Sequence, residues 1–359
     1  MESAKPRVLA ISDDKFALRQ IRLEMPLLNL KKHGLIEDYV ITDYRFKTLR
    51  DDYLFDTVWL QRVVPIDYMD HLKRALNDNF IFDIDDLLIG KPTYTRGLPK
   101  NSGAREALDR CKVLACTTQR LVGVLEKYAA ADLAHKAVIC PNGFEFSKGL
   151  RTPEKPAGLV WTSSDYPALI GSRDAVINAI ETFSQKYGLP VYCFGTLTDA
   201  VTSRIRNIIE LGMVSFWHHK ALLGSFPPLI GVAPLETVAR PEDLEFIHAK
   251  SDVKMVEFGG FGHPSVYSNA PPYVDTDLRC GTLVENDESS WLEALEASYS
   301  EKWKNLDKEQ AGVVEARNMD RIAQKWCEAL SRGRLDHCLP GIVMKTRFSA
   351  RIRRIFAGL

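Results

Sequence analysis

The sequence has 359 residues, of which 45% are apolar and 26% are charged, and its 47 Lys and Arg residues balance its 47 Asp and Glu residues. A chain of this length exceeds one ordinary hydrophobic core, because domains usually hold ~100–200 residues, so we expect two domains. The composition excludes extended disorder, and the balanced charge gives no global attraction to nucleic acid.

Short apolar strands alternate with helical segments through residues 1–147, the predicted N-terminal domain. Strands are predicted in "RVLAIS", "DYVIT", "DTVWLQ", "FIFDI", "KVLACT" and "KAVIC". The segment "KFALRQIRLEMPLLNLKKHG" has helical spacing and ends at a glycine. Apolar strands separated by helices of this length predict a parallel sheet covered on both faces.

The stretch 148–157 contains Pro, Lys and Gly without periodicity, which predicts a linker. The alternation restarts in residues 158–335, the predicted C-terminal domain, which closes with two helices across 288–300 and 307–332. This pattern predicts an α/β protein with two Rossmann-like, doubly wound parallel-sheet domains that face each other across a cleft. Ligands bind such sheets at the carboxyl ends of the strands, so site residues are expected there.

The seven cysteines are scattered, contain no C-x-x-C pair and stand mostly in apolar segments. This distribution predicts reduced, buried thiols rather than disulfides or a zinc site. No apolar run approaches the ~18 residues of a membrane span. The N terminus leads directly into an apolar strand without the hydrophobic core of a signal peptide. We therefore expect a cytoplasmic protein.

The segment "NFIFDIDDLLIG" places Asp83, Asp85 and Asp86 in an otherwise apolar run. Carboxylates are unfavourable in a core unless they are solvated, paired or bound to a ligand. They are therefore solvated strand ends, substrate contacts at the cleft, or a D-x-D metal site made by Asp83 and Asp85. We favour a substrate-binding edge in which Asp85 and Asp86 act on the acceptor, without a metal.

The segment "AKSDVKMVEFGGFGHPSVYS" combines a predicted helix start with a Gly-rich turn. Ser251 is expected to cap the helix, leaving free N–H groups near Lys254 that suit a diphosphate. Glu257 shares a helix face with Lys254, and its carboxylate can accept hydrogen bonds from vicinal hydroxyls such as those of ribose. The alternative is an ordinary surface ion pair. His263, in the following turn, is placed to approach a donor.

These residues resemble a known family. Glu257, Gly262, Pro264 and Ser268 stand in the E-x4-G-x-P-x3-S pattern of the GT-B nucleotide-sugar glycosyltransferases of family 4. "VICPNGF" resembles the hinge segment of that family, and "LIGVAPLE" resembles the strand before its donor site. Within the family, the chain looks most like bacterial enzymes that build lipopolysaccharide O-antigen or capsule glycans. The resemblance implies a GT-B fold and a transferase that uses a nucleotide sugar as substrate and no cofactor.

The resemblance also implies a role for individual residues. Glu257 would bind the ribose. The other implied donor contacts are Lys250, Ser251 and Lys254 at the diphosphate, Gly195 and Thr196 near the base or phosphates, and Arg173 at a phosphate. Two departures from the family stand out: Ala249 occupies the usual position of a second acid, which leaves the sugar and the retaining outcome open, and "SDDKFALRQIR" replaces a Gly-rich loop. Residues of that segment would shape the acceptor side: Asp13, Asp14, Arg19 and Arg22.

The C-terminal tail, 336–359, ends in "KTRFSARIRRIFAGL", which holds five cations and no acid. Its near-helical spacing of apolar residues is typical of a segment that lies on an anionic membrane surface. A terminal helix packed onto the first domain explains it equally well. Membrane contact would suit a lipid-linked glycan acceptor and a peripheral location on the cytoplasmic face of the inner membrane. The rival functions are a metal-dependent glycosyltransferase and a non-catalytic nucleotide- or sugar-binding protein.

Overall fold

The structure is a computed structural model. It describes residues 5–14, 17–44, 55–62, 64–66, 68–69, 79–89, 102–130, 132–146, 149–163, 169, 171–195 and 199–334. Thr196 and the tail 336–359 lie outside these ranges. Two parallel sheets of six strands each form the frame of the molecule.

The first sheet is built from β1 (Arg7–Ile11), β2 (Asp38–Thr42), β3 (Thr57–Gln61), β4 (Ile81–Ile84), β5 (Val113–Cys116) and β6 (Ala137–Ile139). Its spatial order is β2-β1-β3-β4-β5-β6, and all pairings are parallel. The residues of β3, β4 and β5 are buried throughout, as expected for parallel strands covered on both faces.

Four helices of the described residues belong to this half: α1 (Ala17–Arg19), α2 (Met25–Lys32), α3 (Ser102–Arg110) and α4 (Gln119–Leu125). The helix predicted after β1 is present, but a π-helical turn at Gln20–Glu24 joins α1 to α2. Such turns are frequent at functional sites. This one carries Arg22, whose side chain is fully buried.

The second sheet is built from β7 (Leu159–Ser163), β8 (Val191–Gly195), β9 (Ile208–Gly212), β10 (Ile230–Ala233), β11 (Ser265–Ser268) and β12 (Thr282–Val284). Its order is β12-β11-β10-β7-β8-β9, again with parallel pairings. The helices are α5 (Arg173–Tyr187), α6 (Asp199–Thr202), α7 (Phe216–Ser225), α8 (Pro241–His248), α9 (Val253–Gly260), α10 (Pro271–Val274) and α11 (Glu288–Ser300). The predicted pair of doubly wound sheets is thus confirmed.

The C-terminal helices cross back to the first sheet. A 3₁₀ turn (Lys302–Asn305) leads into α12 (Leu306–Arg317) and α13 (Met319–Gly333), so the single helix predicted across 307–332 is interrupted at Asn318. The backbone of Phe144 bonds the carbonyl of Arg317 and the amide of Met319, each at 3.0 Å. Beyond this crossing, α13 places Trp326 against Trp59 of β3 with ring centroids 4.7 Å apart. The last helix therefore packs on the first sheet.

The six described cysteines are free thiols, and all but Cys327 are buried. Burial raises the pKa of Cys111 and of Cys280 to about 12. These thiols act as small core side chains. Within the described part of the chain, no helix is both long enough and apolar enough to cross a bilayer.

Candidate nucleotide-sugar site

The donor edge of the second sheet is organised around the start of α9. Asp252, not Ser251, occupies the N-cap position, and its side chain makes no capping bond. Its carboxylate instead accepts from Thr276 Oγ1 at 2.5 Å and from Arg317 Nη2 at 2.9 Å. The Ser251 hydroxyl accepts from Asn142 Nδ2 at 2.9 Å. The capping role predicted for Ser251 is therefore wrong, although the first N–H groups of α9 still have no intrahelical acceptor.

Glu257 lies at the centre of this edge with only 5% of its surface exposed. Its carboxylate accepts from Lys254 Nζ at 2.6 Å and from Thr162 Oγ1 at 3.5 Å, and His219 Nε2 lies 3.7 Å away. Burial alone would raise the pKa of this carboxyl group, but Lys254 and His219 hold the pKa at about 2. Glu257 is therefore an anion at all ordinary pH values.

The turn after α9 needs glycine. Gly262 has φ of 69°, and a Cβ there would lie 2.8 Å from Arg151 Cδ. Ser268, at the end of β11, accepts from the Leu235 amide at 2.8 Å and donates to Asn286 Oδ1 at 2.6 Å. Gly262 thus shapes the turn that leads into β11, and Ser268 joins the segments that follow β10 and β12.

His263 lies behind the site rather than in it. Its Nδ1 accepts from the Leu229 amide at 3.1 Å, its Nε2 lies 3.0 Å from the Leu223 carbonyl, and 1% of the residue is exposed. Burial lowers the pKa of His263 to about 3, so the ring is neutral. Because both ring nitrogens bond to backbone groups, His263 has a structural role, contrary to the predicted approach to the donor.

Arg173, the predicted phosphate contact, begins α5, and the carboxylate of Glu236 occupies the backbone amides just before it. Buried Glu236 accepts from the amides of Gly171 and Ser172 at 2.6 and 3.1 Å. Arg173, the first residue of α5, is about one-third exposed, and its Nε lies 3.6 Å from Asp174. Gly195 ends β8 with φ of 89°, a backbone conformation that glycine adopts without strain.

On the first sheet, Asp83 forms a fully buried ion pair. Arg22 approaches its two carboxylate oxygens at 2.5 and 3.3 Å and also donates to the Cys140 carbonyl and to Asn142 Oδ1. Burial raises the pKa of Asp83 to about 6, against the effect of Arg22. Since these oxygens are committed to Arg22, Asp83 is not available as a metal ligand, and Arg22 is not available to an acceptor. Among the described residues there is no group of three or more His, Cys, Asp or Glu side chains that could hold a metal ion.

Asp85 and Asp86 follow β4 at the carboxyl edge of the first sheet. Asp85 is 7% exposed and lies 3.3 Å from Arg62 Nε. Burial raises the pKa of Asp85, although Arg62 acts in the opposite direction. Asp86 lies 3.2 Å from Nζ of Lys250, a residue of the second domain.

The other predicted acceptor residues lie near the same edge. Asp14 is 3.4 Å from Arg62 Nη1, and Asp13 accepts from the Tyr44 amide at 3.3 Å. Arg19 pairs with Glu24 at 3.0 Å across the π-helical turn. The structure thus brings Asp14 close to Asp85, whereas Arg19 is paired with a neighbour on its own helical segment.

The carboxyl edges of the two sheets are in direct contact. Lys250 reaches Asp86, Ser251 contacts Asn142, and Tyr128 donates to Glu245 at 2.8 Å. The side chains after β4 and before α9 therefore face one cleft, as predicted from the strand ends.

No protein-family model and no curated protein matches the sequence. Solved structures do match. Anabaena Alr3699/HepE, crystallised with UDP and glucose, aligns with a TM-score of 0.63 at 10% identity over 91% of this chain and 99% of that one. A glycosyltransferase from Rickettsia africae ESF-5 aligns at 0.59 and 12% identity, over 91% and 98% of the two chains. Trehalose-6-phosphate synthase OtsA aligns at 0.50 and 13% identity, over 86% and 75%.

The chain has the GT-B fold. The two six-stranded parallel sheets with their flanking helices match the fold of these neighbours. The sequence pattern correctly predicted the fold class, although the sequence identities are low.

Three residues of the GT-B cleft were not identified from the sequence as site residues. His219 lies against Glu257 and edge-on to Phe194, with ring centroids 4.6 Å apart. Arg62 follows β3, and Asn142 belongs to "CPNG". The signal for Arg62 and Asn142 was their place just beyond a strand, and the signal for His219 was its place at the start of α7. These positions become informative once the strand order is known.

Proposed function

We propose that this protein is a glycosyltransferase that moves a sugar from a nucleotide diphosphate sugar to a glycan acceptor. The observation that carries the proposal is the buried, ionised Glu257 held 2.6 Å from Lys254 on the first turns of α9. A permanent carboxylate binds the two hydroxyls of a ribose, and a cation beside a helix N-terminus binds a diphosphate. The GT-B fold supports this assignment, since HepE was crystallised with UDP and with UDP-glucose.

The proposed donor set is centred on α9. Glu257 takes the ribose, with His219 supporting its orientation. Lys250, Ser251 and Lys254 lie at the diphosphate. Arg173, Gly195 and Thr196 complete the set on the side of β7 and β8, on the strength of the family resemblance alone.

In the proposed reaction, the acceptor oxygen bonds to the anomeric carbon while the bond from that carbon to the diphosphate breaks. The electron pair stays on the diphosphate, which Lys254 and the amides of α9 stabilise. Asp85 takes the hydroxyl proton and Asp86 binds the acceptor. We propose that no metal takes part, because Lys254 and Lys250 supply positive charge at the leaving group. Retention at the anomeric carbon, which the family resemblance alone implies, requires the acceptor oxygen to approach from the face that the diphosphate leaves.

We further propose that the acceptor is a lipid-linked glycan of bacterial surface polysaccharide synthesis, such as lipopolysaccharide O-antigen. The support is compositional: the tail 345–359 carries five cations and no acid between apolar residues. Such a segment binds anionic lipid, which would hold the protein at the cytoplasmic face of the membrane.

A thermal-shift screen of nucleotide sugars tests the function. A ligand that binds the native state at 100 times its Kd stabilises it by ~2.7 kcal/mol, which raises Tm by several degrees. We expect one nucleotide sugar to do so and to be turned over to free nucleotide once acceptor is added. Stabilisation without turnover would favour the non-catalytic binding protein, and turnover only with added Mn²⁺ or Mg²⁺ would favour the metal-dependent enzyme.

A further inference from the structure

Arg62 has an unusual backbone conformation. Its φ is 59°, and no other non-glycine residue of the described ranges has a positive φ. The left-handed region is strained for an ordinary L-residue, and such strain persists only where the surrounding structure maintains it, often at functional sites. Here the Arg62 amide donates to the Asp83 carbonyl at 2.8 Å, which continues the hydrogen bonding between β3 and β4 to the sheet edge.

This conformation places the guanidinium between two carboxylates. Nη1 lies 3.4 Å from Asp14 Oδ2, Nε lies 3.3 Å from Asp85 Oδ1, and only 14% of the side chain is exposed. The buried Asp85 Oδ1 has no hydrogen-bond partner of good geometry, so the contact with Arg62 is mainly electrostatic. Arg62 therefore restrains Asp85 by charge without saturating the carboxylate.

We propose that Arg62 is the positioning residue of the transfer step, holding Asp85 ionised and oriented toward the hydroxyl of a carbohydrate acceptor. This inference rests on the proposed function and deepens it, since it assigns an acceptor subsite to Asp14, Arg62 and Asp85. A carboxylate with remaining acceptor capacity beside a fixed cation suits a neutral hydroxyl donor. This role accounts for the strained backbone, since an extended conformation at residue 62 would direct the guanidinium away from Asp14 and Asp85.

Among the described residues, the charged groups that act on Asp85 are Arg62, Asp86, Arg22, Asp14 and Asp83. Of these, Arg22 is committed to Asp83 and Asp86 lies beside Lys250. Removal of Arg62 would therefore leave Asp85 with carboxylate neighbours, which favours its protonated form and raises its pKa.

Arg62→Gly removes the guanidinium without adding backbone strain, because glycine adopts a φ of 59° freely. We expect a folded variant with lower unfolding stability, because Asp14 and the buried Asp85 lose their cation, and unchanged affinity for the donor nucleotide. We expect kcat for sugar transfer to fall at least 10-fold, with the acid limb of the pH–rate profile about one unit higher. Arg62→Lys, which keeps the charge, should recover part of the rate.

Arg62→Asn serves as a second variant, since asparagine tolerates the left-handed region. Wild-type kcat and pH profile in the Gly and Asn variants would overturn the assignment, and so would a loss of nucleotide affinity, which would place Arg62 on the donor side. If the wild-type protein binds no nucleotide sugar, the proposed function itself fails, and this inference fails with it. Donor binding by the wild type with a slow Arg62→Gly variant supports both.

Discussion

Glu257 and Asp85 are buried carboxylates on opposite edges of the cleft, and their pKa values are shifted in opposite directions. The pKa of Glu257 is lowered to about 2, because Lys254 and His219 outweigh its desolvation. Burial raises the pKa of Asp85, because Arg62 offsets its desolvation only in part. A permanent anion suits binding of ribose hydroxyls, whereas a carboxylate with a raised pKa suits uptake of a proton.

Glu257 should make stability depend on pH in acid. Its pKa is about 2 in the folded protein and 4.5 ordinarily, so its ionisation stabilises the fold above about pH 4.5, and this contribution is lost as pH falls toward 2. We expect Glu257→Gln to lower the free energy of unfolding by roughly 3 kcal/mol at pH 7 and by much less near pH 3. Urea unfolding at both pH values measures this. An equal loss at both would contradict the ion-pair account.

Asp85→Asn and Asp86→Asn should slow sugar transfer while nucleotide affinity stays near that of the wild type, because these side chains lie on the first sheet and the proposed nucleotide site on the second. Asp132→Asn, on an exposed turn, is the matched control. Transfer rate and donor affinity are measured with and without chelator. Weakened donor binding together with chelator sensitivity would favour a metal at these acids, and full activity in both variants would leave them as solvated strand ends.

At the level of elements, the sheets could be predicted because buried parallel strands are continuous apolar runs, as in β3 and β5. The break at Asn318 and the return of α13 could not, because they depend on contacts such as Phe144 with Met319 that join residues far apart in sequence. The same limit applies to the site. Glu257 and Asp85 were singled out from local patterns, whereas their partners, His219 for Glu257 and Arg62 for Asp85, come from other elements.

Trp326→Ala tests the role of α13. The side chain is fully buried against Trp59 and beneath the Arg22 guanidinium, which lies 4.5 Å from its ring. We expect a loss of ~3–5 kcal/mol in the free energy of unfolding. The control is Trp217→Ala, since Trp217 is 47% exposed and its removal should change stability by ~0.5 kcal/mol or less. Similar chemical denaturation curves for the two variants would refute the docking of α13 on the first sheet.

At the level of the molecule, the two domains are joined by the chain crossing at Phe144 and by polar pairs across the cleft. Lys250 with Asp86 and Arg120 with Asp275 are partly exposed ion pairs. Such pairs contribute ~0–1 kcal/mol each, so they orient the two edges without locking them. A nucleotide at α9 would thus lie within reach of the acids after β4.

Deletion of residues 345–359 tests the proposed membrane contact. We expect the full-length protein to sediment with vesicles that contain anionic lipid, and the shortened protein to remain in the supernatant, because five cations are removed. Binding should fall with added salt. If the shortened protein instead unfolds at a lower temperature and the full-length protein does not bind the vesicles, the tail is a packed terminal helix.

Calorimetric titration of nucleoside diphosphates, beginning with UDP, into wild-type protein and Glu257→Ala tests the central claim most directly. Glu296→Ala, which removes a surface partner of Lys186, is the matched control. We expect one nucleotide to bind the wild type and the control equally, and to bind Glu257→Ala roughly 10- to 100-fold more weakly, because a charged hydrogen bond to the ribose contributes ~1.5–3 kcal/mol. Equal affinity in folded Glu257→Ala, or no binding of any nucleoside diphosphate to the wild type, would contradict the assignment of a nucleotide-sugar site at α9.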